Sequence, residues 1–479
     1  MEIHRLATIA GIVICAAWAP ITLPAQTAAA SKPLPDAPPP HLMALLGQQE
    51  TRVNQIGNGA NAVPAVSESA QSQRLTRTEA EQMAIKNNPR ISVSRLLALA
   101  QHQIVRESRS NELPQATANL TAVDAEEASR LSAGSLTASR LLDHAGAGGS
   151  FTQLITDFGK TTNLVASSKL EEKAQNASAL ATEEDVVLAA DQAFYDALQA
   201  QALLQVAQGN VAARQATDSQ VSELTKNKLK STLDLSFADV NMSQAKLLLL
   251  DAKNNLDASM ASLDAVLGLD REAVFDLVDD STSTVAPPPD VEALVNAGLA
   301  QRPDLQALTL DQQAAAKYQH AERDQLLPTL SAAGTAGTVP VRVDQYYTSN
   351  WWGAIGVNMS IPIFNGFLYS AQAKEASLRA EAAAEKSRDL RDKIVRDIHT
   401  SWLTANTAYQ KMQVTQELLN QANEALKLAQ ARYQIGLSSI VELTQAQYQQ
   451  TDAAIGNTNA LYQYRLALAA LNYQMGVNP

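Results

Sequence analysis

Residues 351–363 read WWGAIGVNMSIPI, and the alternation within them decides the fold. Trp351, Ile355, Val357, Met359, Ile361 and Ile363 are apolar, whereas Trp352, Ala354, Gly356, Asn358 and Ser360 are mostly small or polar. A period of two puts these sets on opposite faces of a β-strand. Residues 115–122 alternate too, with Ala116, Ala118, Leu120 and Ala122 against Gln115, Thr117, Asn119 and Thr121. Both runs approach the roughly 9 to 11 residues with which a tilted strand crosses a bilayer. Segments 148–157 and 329–339 alternate less cleanly. Aromatic residues cluster beside the strands: Phe151, Phe158, Tyr346, Tyr347, Trp351, Trp352, Phe364 and Phe367. Such clusters suit the interfacial girdles of lipid-facing strands.

The strands belong to a repeated unit. Asn88-Pro89 has a counterpart in Arg302-Pro303, Leu113-Pro114 in Leu327-Pro328, and DFG at 157–159 in FNG at 364–366. Asp234-Leu235 answers Glu442-Leu443, and Leu267-Gly268 answers Met475-Gly476. Offsets of 207 to 214 over five landmarks indicate an internal duplication. The units are expected at 75–270 and 291–476, with a linker at 271–290 around Pro287-Pro288-Pro289 and a short tail at 477–479. Each unit reads as a helix, a strand, a loop, a strand, a very long helix, a tip and a returning helix.

The long helices follow from the absence of breakers. Residues 160–226 contain no Pro and only Gly209, and residues 367–432 contain neither. At ~1.5 Å per residue, each can span about 100 Å. Val187, Ala190, Phe194, Ala197, Leu204 and Val211 form a heptad seam, as do Tyr462, Leu466, Ala469 and Tyr473. Hydrophobic residues are 46% of the chain but aromatics only 5%, so the apolar content is largely Ala and Leu, as closely packed helices require. The expected class is mainly α with a small β part.

Several functions are disfavoured. A net charge of -12 without a dense Lys/Arg stripe argues against a nucleic-acid partner. His4, His41, His102, His144, His320 and His399 are scattered, with no HExxH spacing, and no phosphate loop or GxSxG elbow occurs. Neither metal, cofactor nor enzymatic activity is expected. Residues 1–30 read as a signal peptide, with Arg5 before the apolar run Leu6–Ala19. The only cysteine, Cys15, lies in that run, so the mature chain has no thiol chemistry. Residues 31–74 are rich in Pro, Ala, Ser and Gln and read as a flexible extension.

Beyond the signal, no segment has the roughly 18 consecutive apolar residues of a spanning helix, so any membrane crossing is by strands. Four strands cannot close a barrel, because the smallest outer-membrane barrels have about eight and an open edge in lipid leaves backbone groups unpaired. Oligomerisation is required if the strands are transmembrane. The competing architecture is a periplasmic coiled-coil scaffold with a soluble sheet.

The opening helix LTRTEAEQMAIKNNPRI, the joints LITDFGKT and IPIFNGFL, and the tip RYQIGLSSIVELTQAQ together resemble the TolC-like outer-membrane efflux family, over roughly residues 75–476. The resemblance implies a homotrimer in outer-membrane lipid, with a twelve-stranded barrel above a helical tunnel. It also implies partnership with a periplasmic adaptor (membrane fusion) protein and an inner-membrane pump, exporting drugs, metals or secreted proteins. By family motif, Gly436, Leu437 and Ser438 would dock the adaptor. Glu442 takes the first carboxylate position of a channel constriction, Gln445 the second, where an Asp can sit, and Asp234 is the first-unit partner. Tyr433 is the potential hydrogen-bond donor of a closing latch, and Ser438 stands where an Arg would complete it. Asn227, Lys228, Leu229 and Lys230 depart from the Gly-containing turn usual at the first tip. Threefold symmetry would bring three Glu442 side chains towards one axis and focus a cation-attracting field there.

Overall fold

The computed structural model describes residues 73–123, 130–133, 136–140, 144–269, 275–279, 285–338 and 351–477. The expected signal peptide with Cys15, residues 31–72 of the extension, Tyr346, Tyr347 and residues 478–479 lie outside them. In chain order the elements are β1 (Gln73–Leu75), α1 (Arg77–Asn87), α2 (Pro89–Ser110), β2 (Gln115–Val123), β3 (Arg130–Ala133), β4 (Leu136–Arg140), β5 (His144–Thr156), α3 (Lys160–Lys226) and α4 (Thr232–Leu267). There follow β6 (Phe275–Leu277), α5 (Val291–Gln301), α6 (Pro303–Asp324), β7 (Thr329–Thr338), β8 (Trp351–Ser360), α7 (Leu368–Gln434) and α8 (Ile440–Gln474). The β3–β4 hairpin sits inside the first strand-to-strand connection, where the second unit has no described counterpart.

The duplication is visible element by element. α1 and α5 have 11 residues each, α2 and α6 have 22, and α3 and α7 have 67. Pro89 and Pro303 each open a helix at its first position, where a missing N–H costs nothing. The residue before each proline is extended, Asn88 with ψ 124° and Arg302 with ψ 122°, because the proline ring disfavours helical geometry there.

These joints are held from the far end of each unit. Gly268 (φ 69°) ends α4 and lies on the backbone of Asn87 and Asn88, where an added Cβ would stand 2.8 Å from Asn87 O. Gly476 (φ 66°), just past α8, lies on Gln301 and Arg302, where a Cβ would stand 3.1 Å from Arg302 N. The joint side chains reach back: Asn88 Nδ2 donates to Val266 O at 2.9 Å, and Arg302 donates to the Gln474 side chain. Sequence landmarks about 180 residues apart thus meet in space, twice.

The landmarks are related by two offsets. Elements before the strand-to-strand loop are 214 positions apart, as Pro89 is from Pro303, and those after it are 208 apart, as Lys160 is from Leu368. One six-residue difference, confined to the strand region, accounts for the drift. It also corrects one pairing: Asp157-Phe158-Gly159 corresponds to Asn365-Gly366-Phe367 and not to Phe364-Asn365-Gly366. Phe158 (φ 55°) and Gly159 (φ 120°) turn the chain into α3, and Gly366 (φ 63°) and Phe367 (φ 65°) turn it into α7. Each unit has one glycine and one strained phenylalanine there, in opposite order, which misled an alignment by glycine.

β2, β5, β7 and β8 form one antiparallel sheet in that order, so the inner pair β5–β7 joins the two units and β2 and β8 are its edges. The register sorts the side chains by face. Met359 lies opposite Leu330, Val357 opposite Ala332, Ile355 opposite Gly334, Gly334 opposite Phe151, and Phe151 opposite Ala116. On the other face Ser360 lies opposite Thr329, Asn358 opposite Ser331, Thr335 opposite Ser150, and Ser150 opposite Thr117, whose hydroxyls are 2.6 Å apart. One face is apolar and the other hydroxyl-rich, a segregation the Gly- and Ala-rich strands β5 and β7 hide until they are paired. The expected strand 351–363 stops at Ser360, since Pro362 has no N–H for a ladder.

Below the sheet, α3 packs with α4 and α7 with α8, and α3 also contacts α2, α6 and α8. The seam residues Val187, Ala190, Phe194 and Ala197 are buried, and Phe194, Leu263, Leu267 and Ile91 share one core. β1 and β6 pair in parallel and place Leu75 and Leu277 in the same core. β1 therefore begins inside the expected extension and β6 inside the expected linker, because three-residue strands carry no periodic signal. No helix among the described residues is long and apolar enough to cross a membrane.

Gly268→Ala is expected to destabilise the chain by roughly 2 kcal/mol or more, since left-handed backbone costs an L-residue about 1–2 kcal/mol and the Cβ meets immobile backbone besides. Gly476→Ala should cost less. Thermal unfolding of the two variants side by side checks the order.

Candidate functional site

The two helical tips are built alike. α3 is capped at Asn227, with Lys228 N donating to Thr225 O at 2.9 Å and Leu229 N to Leu224 O at 2.8 Å. α7 is capped at Ile435, with Gly436 N donating to Tyr433 O at 3.1 Å and Leu437 N to Arg432 O at 2.8 Å. Both are left-handed helix terminations, in which the residue past the cap takes positive φ. Gly436 does so at 77° and Lys228 at 60°, so the lysine adopts the glycine conformation at the cost of strain. Ser231 then caps α4 through Leu233 N at 3.1 Å, and Ser439 caps α8 through Glu442 N at 3.3 Å.

A small core ties the tips together. Val221, Ala238, Tyr433, Ile440 and Leu443 are buried there, one or more from each of α3, α4, α7 and α8. Lys230 Nζ lies 4.5 Å from the centroid of the Tyr433 ring. The Tyr433 hydroxyl is buried and has no hydrogen-bond partner. Burial, and then the charge of Asp234, push it above the usual tyrosine range. Asp234 is thus a neighbour of Tyr433 but not its acceptor. Ser438 Oγ is likewise buried without a partner, while Leu437 is exposed at the apex.

Glu442 and Gln445 are both exposed on α8. Arg432 Nε lies 3.1 Å from Glu442 Oε1, so the carboxylate is engaged by its own chain across the hairpin. The sequence reading missed this arginine, having looked for one at Ser438. The signal was available: Arg432 and Glu442 stand five residues either side of Leu437, the apex of a helix-turn-helix.

Further from the tips, a polar patch links α3 to α8. Arg214 is 7% exposed and donates to Asn210 Oδ1 at 3.2 Å and to the Gln447 side-chain oxygen. Gln447 Nε2 donates to Thr217 Oγ1 at 3.0 Å, and Thr451 Oγ1 to Asn210 Oδ1 at 3.2 Å. Burial lowers the affinity of Arg214 for its proton. Nothing in the helical periodicity marked this group, because its polar residues are spread over two helices. Among the described residues no group of three or more His, Cys, Asp or Glu side chains could hold a metal ion.

Four antiparallel strands on a pair of 67-residue helices define the fold of outer-membrane channel protomers. The crystal structure of the outer membrane protein VceC from Vibrio cholerae matches with a TM-score of 0.72 at 19% identity, covering 84% of this chain and 96% of that one. Residues 294–477 match the family described as outer membrane efflux protein. The outer membrane protein TolC of Vibrio cholerae is 25% identical over 410 residues, 82% of this chain and 89% of that protein. TolC of Salmonella enteritidis is 25% identical over 232 residues, 47% of each, so the match spans about half the length of that relative. The second half of the chain thus matches the outer membrane efflux proteins, and most of the chain is similar to TolC and shares the fold of these outer-membrane proteins.

Lys228→Gly is expected to stabilise the first tip by about 0.5–1 kcal/mol, and Gly436→Ala to destabilise the second by about 1 kcal/mol. Amide hydrogen exchange at residues 224–230 and 432–438 should slow in the first variant and quicken in the second.

Proposed function

We propose that the chain is one protomer of an outer-membrane export duct, a homotrimer whose twelve strands form a barrel and whose helices form a tunnel beneath it. The observation that carries this is the two-faced sheet with unpaired edges. Its apolar face is exposed, with Ile355 88%, Leu120 87% and Val357 66% accessible, as suits strands that face lipid. Its hydroxyl-rich face suits a water-filled lumen. With an even number of alternating strands, β8 of one copy runs antiparallel to β2 of the next, and closure pairs every backbone group. Phe158, Phe364 and Phe367 lie exposed where strands join helices, and Trp351 at the other end of β8, as two interfacial girdles require.

The match to efflux proteins supports reading the duct as a conduit without catalysis of its own. By resemblance, a periplasmic adaptor and an inner-membrane pump join it at the tips, where Gly436, Leu437 and Ser438 form the docking turn. Glu442, Gln445 and Asp234 line or support the constriction, with Tyr433 and Ser438 as the latch. The Arg432 partner sharpens this reading: each Glu442 charge is partly neutralised while its hairpin is closed, so the field at the axis is tunable. A periplasmic scaffold would have no use for an exposed apolar sheet face.

Fractionation tests the whole reading. A duct gives a heat-sensitive oligomer in the outer membrane, and soluble periplasmic protein rejects it. Ile355→Lys should cost about 2–4 kcal/mol of insertion stability and deplete the membrane oligomer. In single-channel recordings, Glu442→Ala should lower cation preference roughly two-fold and Arg432→Ala raise it by a similar factor. Unchanged selectivity in both would remove Glu442 from the constriction.

A further inference from the structure

The internal duplication leaves two helix faces without the neighbours that their counterparts have. α6 lies between α3 and α7, whereas α2 lies on α3. α2 is buried along one stripe, Ile91, Ser94, Ala98 and Val105. That stripe answers the side of α6 turned to α7, where Leu305, the counterpart of Ile91, packs on Ile394 and Ile398. The other side of α6 is covered by α3: Ala307, Ala314 and Ala321 are buried, and Ser167 Oγ of α3 donates to Ala314 O at 2.9 Å. The counterparts 214 positions earlier are Val93, Ala100 and Glu107. Val93 is 55% exposed where Ala307 is 7%, and Ala100 is exposed where Ala314 is buried. Leu96, between them on the same side, is exposed too. A helix with a second apolar face open to water lacks a partner.

The matching face lies at the other end of the row of helices. On α3, Ser167, Ala174 and Ala177 are buried, and Asn163 Nδ2 donates to Asp324 Oδ2 of α6 at 2.8 Å. The counterparts on α7, 208 positions later, are Glu375, Ala382, Glu385 and Ala371, and all four are exposed. Leu378, on the same stretch, is exposed as well. α7 thus presents the face with which α3 holds α6, and α2 presents the face with which α6 is held. One chain cannot join them, because α2 and α7 stand at opposite ends of the row α2, α3, α6, α7, as β2 and β8 stand at opposite edges of the sheet. A second copy can, through a head-to-tail contact of the kind that closes rings.

We infer that α2 of one copy seats against α7 of the next as α6 seats against α3 within the chain, and that β8 pairs with β2 of the next copy in the register that β5 and β7 use. The inference rests on the duct reading and adds which residues meet. Moved by the two offsets, the pair Phe151 and Gly334 becomes Met359 and Leu120, Gly149 and Ala336 become Val357 and Ala122, and Ser150 and Thr335 become Asn358 and Thr121. Apolar residues meet on the exposed apolar face and polar residues on the hydroxyl-rich one. The offsets differ by an even number, which keeps the faces sorted; an odd difference would set Met359 beside Asn119 or Thr121 on the wrong face. On the helices, Ser167 and Ala314 become Glu375 and Ala100, and Asn163 and Asp324 become Ala371 and Ser110. Neither pair repeats its hydrogen bond, since a carboxylate only accepts and Ala371 has no polar side-chain atom. The seam between copies is therefore held by apolar contact, through Val93, Leu96 and Leu378.

Cross-linking in membranes tests the inferred contacts on the full chain, with its only cysteine removed as Cys15→Ala. Two double variants are made, Met359→Cys with Leu120→Cys for the strands and Ala100→Cys with Glu375→Cys for the helices. All four positions are exposed in the single chain. Each variant is first checked for the heat-sensitive oligomer, then treated with an oxidant for the strand pair or a short bifunctional maleimide for the helix pair. The expected result is conversion of most of the heat-released monomer band into a ladder of covalent multimers, absent from every single-cysteine variant and from Met359→Cys with Thr121→Cys. A ladder from the Thr121 control in place of the Leu120 pair overturns the register. A ladder from one pair only overturns the contact assigned to the other. An outer-membrane oligomer in which neither pair cross-links overturns the inference and leaves the duct reading standing. A cysteine-free parent that forms no such oligomer removes the duct reading, and the inference with it.

Discussion

An unpaired strand edge cannot stay open in hydrocarbon, where each bare N–H or C=O costs several kcal/mol. That constraint governs the rest of the molecule. The β5–β7 ladder joins the two units and consumes their inner edges, leaving only β2 and β8 to be satisfied. In the proposed oligomer neighbouring copies satisfy them, so that the sheet would set the assembly and the helices below would have to arrive at matching heights. The Gly268 and Gly476 clasps fix where each returning helix ends against the joint that began its unit.

Much of the architecture was legible because it is periodic or punctuated. Absence of Pro and Gly marked α3 and α7 nearly to the residue, and Pro89 and Pro303 marked the joints, since a missing N–H and a fixed φ act locally. What depended on pairing was hidden. The two faces of β5 and β7 emerge only through register, because Gly and Ala contribute little contrast along a single strand. The short β1–β6 ladder was invisible for a different reason: its stability comes from Leu75 and Leu277 entering a distant core.

The tip site divided along similar lines. Gly436 announced its turn, because only a residue without Cβ occupies that backbone freely. Lys228 did not, and its strain is borne by a hydrogen-bond pattern identical to that of the second tip. Asp234 and Tyr433 were expected to be linked by a hydrogen bond; Asp234 is felt by the Tyr433 hydroxyl as a charge, and no hydrogen bond joins them. Glu442 had a partner that shows only in the folded hairpin, where Arg432 reaches it across the turn.

The six-residue difference between the units falls wholly in the strand region and none of it in α3 or α7. Adding one residue to a helix advances everything beyond it by about 1.5 Å and turns it by about 100°. A single insertion in α3 would swing Val187, Phe194 or Val221 out of their seams and lower one tip against its twin. A loop absorbs the same insertion without passing it on. The 67-residue helices therefore behave as paired rulers: length can drift freely where the chain turns, but along the coil only changes that restore both height and phase leave the two halves in step.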